Sequence, residues 1–463
     1  MSSEPREELG VTLVGHEVAV PCIDGEERPY LSLDAAASTN ALPAVAARVH
    51  EFLPSYSSVH RGAGWKSQQA TGAYESARDA FTTFAGREGR DDVAIICRNT
   101  TEAINHLAYR LRLDADEVVA TTVVEHHANL LPWSRVARRA YVECDADGTF
   151  DLERVTSVLD QRPRPRLLAI TGASNVTGWV PPIDEIVAAA HHRGVPVLVD
   201  AAQLAPHRPL PAAADYVAWS GHKMYAPFGA GVLIGPRSTF ATGDPFLAGG
   251  GAVDLVDLDE VAWTDPPDRE EAGSPNVVGA VALHAAIDEL DRIGWNAIRA
   301  HDDAMTARLH DGLGRIDGVR LLGASSRPGG LPVAAFVVEG VHHALVAARL
   351  SAEHAIGVRH GCFCAHPYLL RLLALTAAEV DEYHRAVRAG DRTRVPGAVR
   401  ASAGIDATAA DIDRFLAAVA GIAAGPSPVA YEQDPHTGDY WPVTEDPAWT
   451  EASRRLGASC ARG

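Results

Sequence analysis

The chain has 463 residues and is short of several things, and each shortage excludes a class of protein. Cysteine comes first. Cys22, Cys97, Cys144, Cys362, Cys364 and Cys460 are too few to staple a chain of this size into a disulfide framework. A chain this long buries enough surface to need no staples, and Cys22, Cys97 and Cys144 read as single buried thiols. Positive charge is also scarce: 41 Lys and Arg against 60 Asp and Glu leave a formal charge of -19. Nucleic-acid and anionic-membrane binders need the opposite balance, so neither is expected as a general partner. No run approaches the ~20 apolar residues of a membrane helix. The opening "MSSEPREELG" carries acids and no apolar core, so it does not read as a signal peptide. There is no internal repeat and no low-complexity tract. These absences lead to the expectation of a cytoplasmic, globular protein of two or three domains.

What is present is alternation. From about Asp92, short β-rich runs take turns with helical segments: "DDVAIICRN", "EVVATTVVE", "RLLAITGAS", "VPVLVDAAQ", "ADYVAWSGHK" and "GAGVLIG" read as strands. "PPIDEIVAAAHHRG" between them opens with proline and stops at Gly194, as a helix does. Strand–helix–strand alternation predicts an α/β fold with a mainly parallel sheet, whose ligands sit beyond the carboxyl ends of the strands. "VTGW", "DAAQ" and "SGHK" fall at those ends. The helical run "NVVGAVALHAAIDELDRIG" links to a second unit containing "PVAAFVVEG" and "DIDRFLAAVAGI". The tail from Gly425 is rich in Pro, Asp and aromatic residues, and Tyr431, Tyr440 and Trp441 suggest that it packs on the body.

The sharpest local signal is "LVDAAQLAPHRP" followed by "DYVAWSGHKMYAPFGAGVLIG". Asp200 ends one strand, and Lys223 follows a Ser-Gly-His turn at the end of the next. An enzyme using pyridoxal 5'-phosphate (PLP) needs this set. It needs a lysine amine for a Schiff base and a carboxylate against the pyridinium nitrogen. It also needs hydroxyls, imidazole and backbone N–H groups for the phosphate. Asp200, Lys223, Ser220 and His222 supply these types. The same residues also fit a surface lysine in a loop beside an aspartate that turns the chain, and the motif alone leaves both readings open. The adjacent histidines of "EHHAN" do not make a metal site: HExxH spacing is absent, and neighbours on a strand point to opposite faces.

Ordered blocks carry the match much further: "YSSVHRGAGWKSQQAT", "CRNTTEAIN", "VVEHHANLLPW", "TGASNVTGWVPPI", "LVDAAQ", "SGHKMYAPFGAGVL", "REEAGSPN" and "GVRHGCFCAHP". In these the chain resembles the class V aminotransferase-fold PLP enzymes, and within them the Suf-type cysteine desulfurase and selenocysteine lyase group. The resemblance implies fold type I, with an N-terminal segment (1–45) on the small domain and active site. A large PLP-binding domain (46–290), a smaller C-terminal α/β domain (291–424) and a tail (425–463) follow. It implies a homodimer with the active site at the interface, an amino acid substrate and a possible sulfur-acceptor protein.

It also implies roles. Lys223 would hold the cofactor, Asp200 would pair with the pyridine nitrogen and Gln203 with the ring oxygen. His126 would stack on the ring and move protons, supported by His127. Thr100, Thr101, Ser220 and His222 would hold the phosphate, joined by Ser274 across the dimer interface. Asn175 and Arg400, with Arg359 nearby, would bind the substrate carboxylate, a task that suits a planar guanidinium fork.

In such desulfurases a loop cysteine attacks the substrate sulfur, leaving alanine and a persulfide, and Cys364 falls at that position. Arg359, His360 and His366 are expected to favour its thiolate, the reactive form. This chain departs from the usual loop: Cys362 and Phe363 replace histidines. The stretch to Arg400 is longer and contains "LTAAEVDEYHRAVRAGDR", a helix with a Thr376/Glu379 capping box and a stop at Gly390. The segment 371–396 reads as a lid or a partner surface. Cys364 is read as a persulfide carrier, as a thiol kept for gating or acid catalysis, as half of a strained redox pair with Cys362, or as an inert loop residue. A C–S β-lyase, aminotransferase or epimerase acting on a specialised amino acid remains the alternative activity.

Overall fold

The computed structural model describes residues 9–60, 62–324 and 329–445. Cys460, most of the acidic opening segment and the end of the tail lie outside the described residues.

The β-rich runs fold into one seven-stranded sheet. Its order is Asp92–Cys97, Gly231–Pro236, Tyr216–Ser220, Val197–Asp200, Leu167–Thr171, Val118–Thr122 and Arg138–Val142. Gly231–Pro236 runs antiparallel to both neighbours, and the other pairings are parallel. Parallel strands need crossover helices on the faces, so both faces are covered. The sequence supports this through its period of two. Ile95, Leu167, Ala169, Leu198, Ala218 and Leu233 enter one core. Their neighbours Ala94, Leu168, Ile170, Val199, Val217 and Val232 enter the core on the opposite side.

All six runs read as strands are strands. Arg138–Val142 ("RRAYV") escaped the sequence reading because it lies at the sheet edge and is only partly buried. An edge strand facing water needs no apolar run. The chain enters at Asp92–Cys97 and passes through the helix Thr100–Arg110. It then starts again at Val118–Thr122, near the far edge. That jump opens a crevice beyond the strand carboxyl ends.

The helix Val277–Ile293 packs on the large core and ends at Gly294, whose φ of 92° a side chain would resist. A second sheet follows, antiparallel throughout: Val319–Leu322, Val333–Val338, Ala398–Ser402 and Arg359–Gly361. Trp295–Leu313, His343–His354 and Ala409–Ala424 bury their apolar faces against it. The short N-terminal strand Leu31–Ser32 pairs with Ile356–Gly357, and Asp34 bridges to Ser402.

The capped helix in the longer stretch is Ala377–Arg388. Both hydrogen bonds of its Thr376/Glu379 box are formed, and no residue of it is buried. The tail forms a hairpin, Tyr431–Gln433 with Tyr440–Pro442, that packs on the body as expected. Tyr431 donates to Glu353 at 3.2 Å and Gln433 to the Thr393 carbonyl at 3.1 Å. No described helix is long and apolar enough to cross a membrane.

Candidate active site

Four strand ends build one side of the crevice. Asp200 closes the strand Val197–Asp200, is 5% exposed, and accepts the Ala202 N–H at 3.0 Å. Burial pushes its carboxyl up, while the Ala202 N–H and the nearby Lys223 hold it down. Lys223 sits in the one-turn helix Gly221–Lys223 that follows Tyr216–Ser220. Burial lowers its amine to about 8, against the pull of Asp200. About a tenth of it is then neutral at pH 7, far more than for a free lysine. The chain has only two lysines, and the other, Lys66, is exposed.

Ser220 accepts the Thr100 N–H at 2.8 Å, and its hydroxyl pairs with that of Thr100 at 2.6 Å. Thr100 opens the helix Thr100–Arg110, whose cap Asn99 accepts from Glu102 N–H at 3.0 Å. A Cβ on Gly231 would lie 2.5 Å from Asn99 Cα, so glycine lets this helix start sit against the sheet. The result is a helix N-terminus lined with hydroxyls, which favours an anion.

Past Val118–Thr122 lies Glu125, fully buried. It accepts from Thr122 Oγ1 (2.7 Å), Thr171 N–H (2.9 Å) and Asn129 Nδ2 (2.7 Å), tying two strand ends together. Burial nevertheless raises it to about 8. His126 caps the next turn: its Nδ1 accepts from Ala128 N–H at 3.1 Å, which places the ring proton on Nε2. Burial, then the charges of Lys223, His127 and Arg400, lower it to about 3. The "EHH" pair is therefore in a turn, not on a strand, and His126 is neutral at ordinary pH.

The other side of the crevice comes from the small sheet. Arg400, 3% exposed, donates to the Asn175 carbonyl at 2.9 Å and to Asp34 at 3.0 Å. Its Nε has no partner among the described residues, and its guanidinium lies 5.2 Å from the centre of the Phe363 ring. Asp34 also pairs with Arg359 at 2.8 Å. Asn175 Nδ2 donates to the Phe363 carbonyl at 2.7 Å, and His127 N–H to the Cys364 carbonyl at 2.7 Å. Phe363 and Cys364 both have a φ of 54°, a left-handed state that costs a non-glycine residue of order 1–3 kcal/mol.

One cavity of about 360 Å³ is lined by every residue expected to touch cofactor or substrate except Ser274, while the supporting His127 lies outside it. Ser274 is exposed in the loop before Val277–Ile293. Gln203 spends one amide hydrogen on the Ala36 carbonyl at 2.6 Å, and His222, lowered to about 4 by burial, faces Ser38 at 3.4 Å. Of the three residues expected to tune Cys364, only Arg359 lines the cavity. His360 is held by Asp439 at 3.2 Å. His366 stacks on His127 at 5.0 Å, with Tyr383 of the exposed helix next in the stack at 6.3 Å. Asp34, in "YLSLDAAAST", was missed by the sequence reading.

The doubly covered, mainly parallel sheet and the amine and carboxylate at its strand ends define an enzyme of fold type I. A family model described as aminotransferase class-V matches residues 31–415, and the chain belongs to that family. It is 37% identical over 396 residues to a probable cysteine desulfurase 2 from Mycobacterium leprae, across 81% of this chain and 92% of the relative. It is 36% identical to a probable cysteine desulfurase from Xylella fastidiosa, across 76% and 80% of the two chains. Among solved structures it is similar to the apo cysteine desulfurase from Thermococcus onnurineus: TM-score 0.76, 30% identity, 86% of this chain and 95% of that one.

Proposed function

We propose that this protein is a PLP-dependent enzyme that removes the sulfur of L-cysteine, with Cys364 receiving it. The observation that carries the reading is that Cys364 lines the same cavity as Lys223, Asp200, His126 and Arg400. The residues fit the cofactor. Lys223 is a buried amine, Asp200 a buried carboxylate, and Thr100, Thr101 and Ser220 surround a helix start suited to a phosphate. When bound, PLP draws electrons from the substrate Cα, so that the Cα proton can leave and the Cβ–Sγ bond can break.

The chain supplies the rest. Arg400 and Arg359 hold the substrate carboxylate, which competes with Asp34 for their N–H groups. Lys223 carries the Cα proton, because its amine titrates near the working pH. His126, neutral with Nδ1 already occupied, is a flat, desolvated wall rather than a base. Cys364 thiolate forms an S–S bond to the substrate Sγ as the Sγ–Cβ bond breaks, leaving alanine and a persulfide on the chain. Asn175 and His127 hold the turn that presents it.

A homodimer completes the reading. The hairpin Val253–Val256 with Val261–Trp263 exposes Leu255, Val256, Leu258 and Val261, an apolar surface suited to a second copy. Ser274 would then reach the neighbouring phosphate site. Five free cysteines among the described residues suit a reducing, cytoplasmic setting.

A single turnover of the PLP-bound enzyme with L-cysteine tests the function. Alanine should appear with a gain of one sulfur atom in intact mass, and both should vanish in Cys364→Ser. Substrate binding without alanine would turn the reading toward a lyase or aminotransferase acting on a bulkier amino acid.

A further inference from the structure

Cys362 is a thiol of the same loop that this reaction leaves unused. It opens a reverse turn: the Ala365 N–H donates to the Cys362 carbonyl at 2.9 Å, and the two central residues, Phe363 and Cys364, are both left-handed. Positive φ at both central residues is the mark of a type I′ turn, here built without glycine. The turn gives its two thiols different surroundings. Cys364 faces the cavity, within electrostatic reach of Lys223 and Arg400. Cys362 is half-buried against the large core and near Tyr383 of the exposed helix, and the Cys364 thiol lies within electrostatic reach of it. Burial pushes this thiol up, and the polar backbone of the turn opposes that push.

We propose that Cys362 is a second sulfur-bearing site, whose thiolate takes the outer sulfur from a persulfide on Cys364. The inference rests on the reading of Cys364 as the sulfur acceptor. In the exchange an S–S bond forms between Cys362 Sγ and the outer sulfur. The bond from that sulfur to Cys364 Sγ breaks, and its electron pair leaves on the Cys364 thiolate. The proton lost by the Cys362 thiol is regained at Cys364, and no oxidant or reductant is consumed. The persulfide extends the reach of Cys364 by an S–S bond of about 2.05 Å. Attack on the inner sulfur would instead expel sulfide and close a strained Cys-x-Cys disulfide. Relaxing the two left-handed residues is the movement that brings the sulfurs together. Cys364 is then free for another cycle while the first sulfur rests near Tyr383.

The full PLP-bound enzyme is given excess L-cysteine without reductant, alkylated, and cleaved after Arg359 and Arg371. Fragmentation of that peptide assigns each sulfur to Cys362 or Cys364. Sulfur on both, with an alanine burst about twice that of Cys362→Ser, is the expected result. Sulfur confined to Cys364 in the unaltered chain overturns the relay and leaves the desulfurase reading standing. A parallel sample receives glutathione persulfide and no cysteine. Label that appears on Cys364 and then migrates to Cys362 supports the relay even if cysteine yields no alanine. Label that stays on Cys364 rejects it.

Discussion

The two sides of the cavity are built in opposite ways. Asp200, Ser220 and Lys223 extend from fully buried strands, and Glu125 locks two of those strand ends with three hydrogen bonds. Cys364 sits in a turn of left-handed residues, held by the His127 N–H and, through Phe363, by one side-chain amide. The sheet side fixes positions to the precision of a packed core. The turn side stores strain and has few bonds to break. Under the proposed function, this division would hold the ring still on the sheet side and leave the thiol to the turn side. Arg400 is the seam, touching Asn175 on one side and Phe363 on the other.

The comparison can be broken most severely on the rigid side. Lys223→Ala removes the buried amine, and turnover should fall about a thousandfold, within the range that positioned acid–base groups contribute. Steady-state alanine formation checks it. At the seam, Arg400→Lys keeps the charge but loses the planar fork. KM for L-cysteine should rise about 10–100-fold, with kcat changed much less.

The mildest test varies only pH. Burial depresses the Lys223 amine from 10.5 to about 8. The neutral, reactive form therefore grows as pH rises and saturates above that value. Reconstitution of the cofactor-free chain with PLP should speed up about tenfold between pH 7 and 9 and then level off. A rate still climbing steeply at pH 9 would mean an ordinary, solvated lysine.

Much of the rigid side was legible in the sequence. A sheet covered on both faces writes itself as apolar runs, and the residues closing those runs are the ones that meet in the crevice. Asp200, Lys223 and Ser220 could be chosen on that basis, and the shortage of lysine would have singled out Lys223 almost alone. The turn side was less legible. Asp34 pairs with Arg359 and with Arg400, the latter 366 positions away, and nothing local to an aspartate just past the short strand Leu31–Ser32 announces those pairings. Left-handed backbone is written in glycine, and Phe363 and Cys364 are not glycine. His360 and His366 flank Cys364 in sequence, yet their rings are claimed by Asp439 and His127.

The scarcity of lysine has a consequence beyond identifying one residue. An aldehyde condenses with amines, while a guanidinium stays protonated and inert to it. Nearly all the basic side chains of this acidic molecule are arginine, and outside the crevice the side-chain amines reduce to exposed Lys66. The surface therefore offers an incoming aldehyde few side-chain amines to be misdirected by, and between the two lysines the lowered amine of Lys223 is the one that reacts at neutral pH.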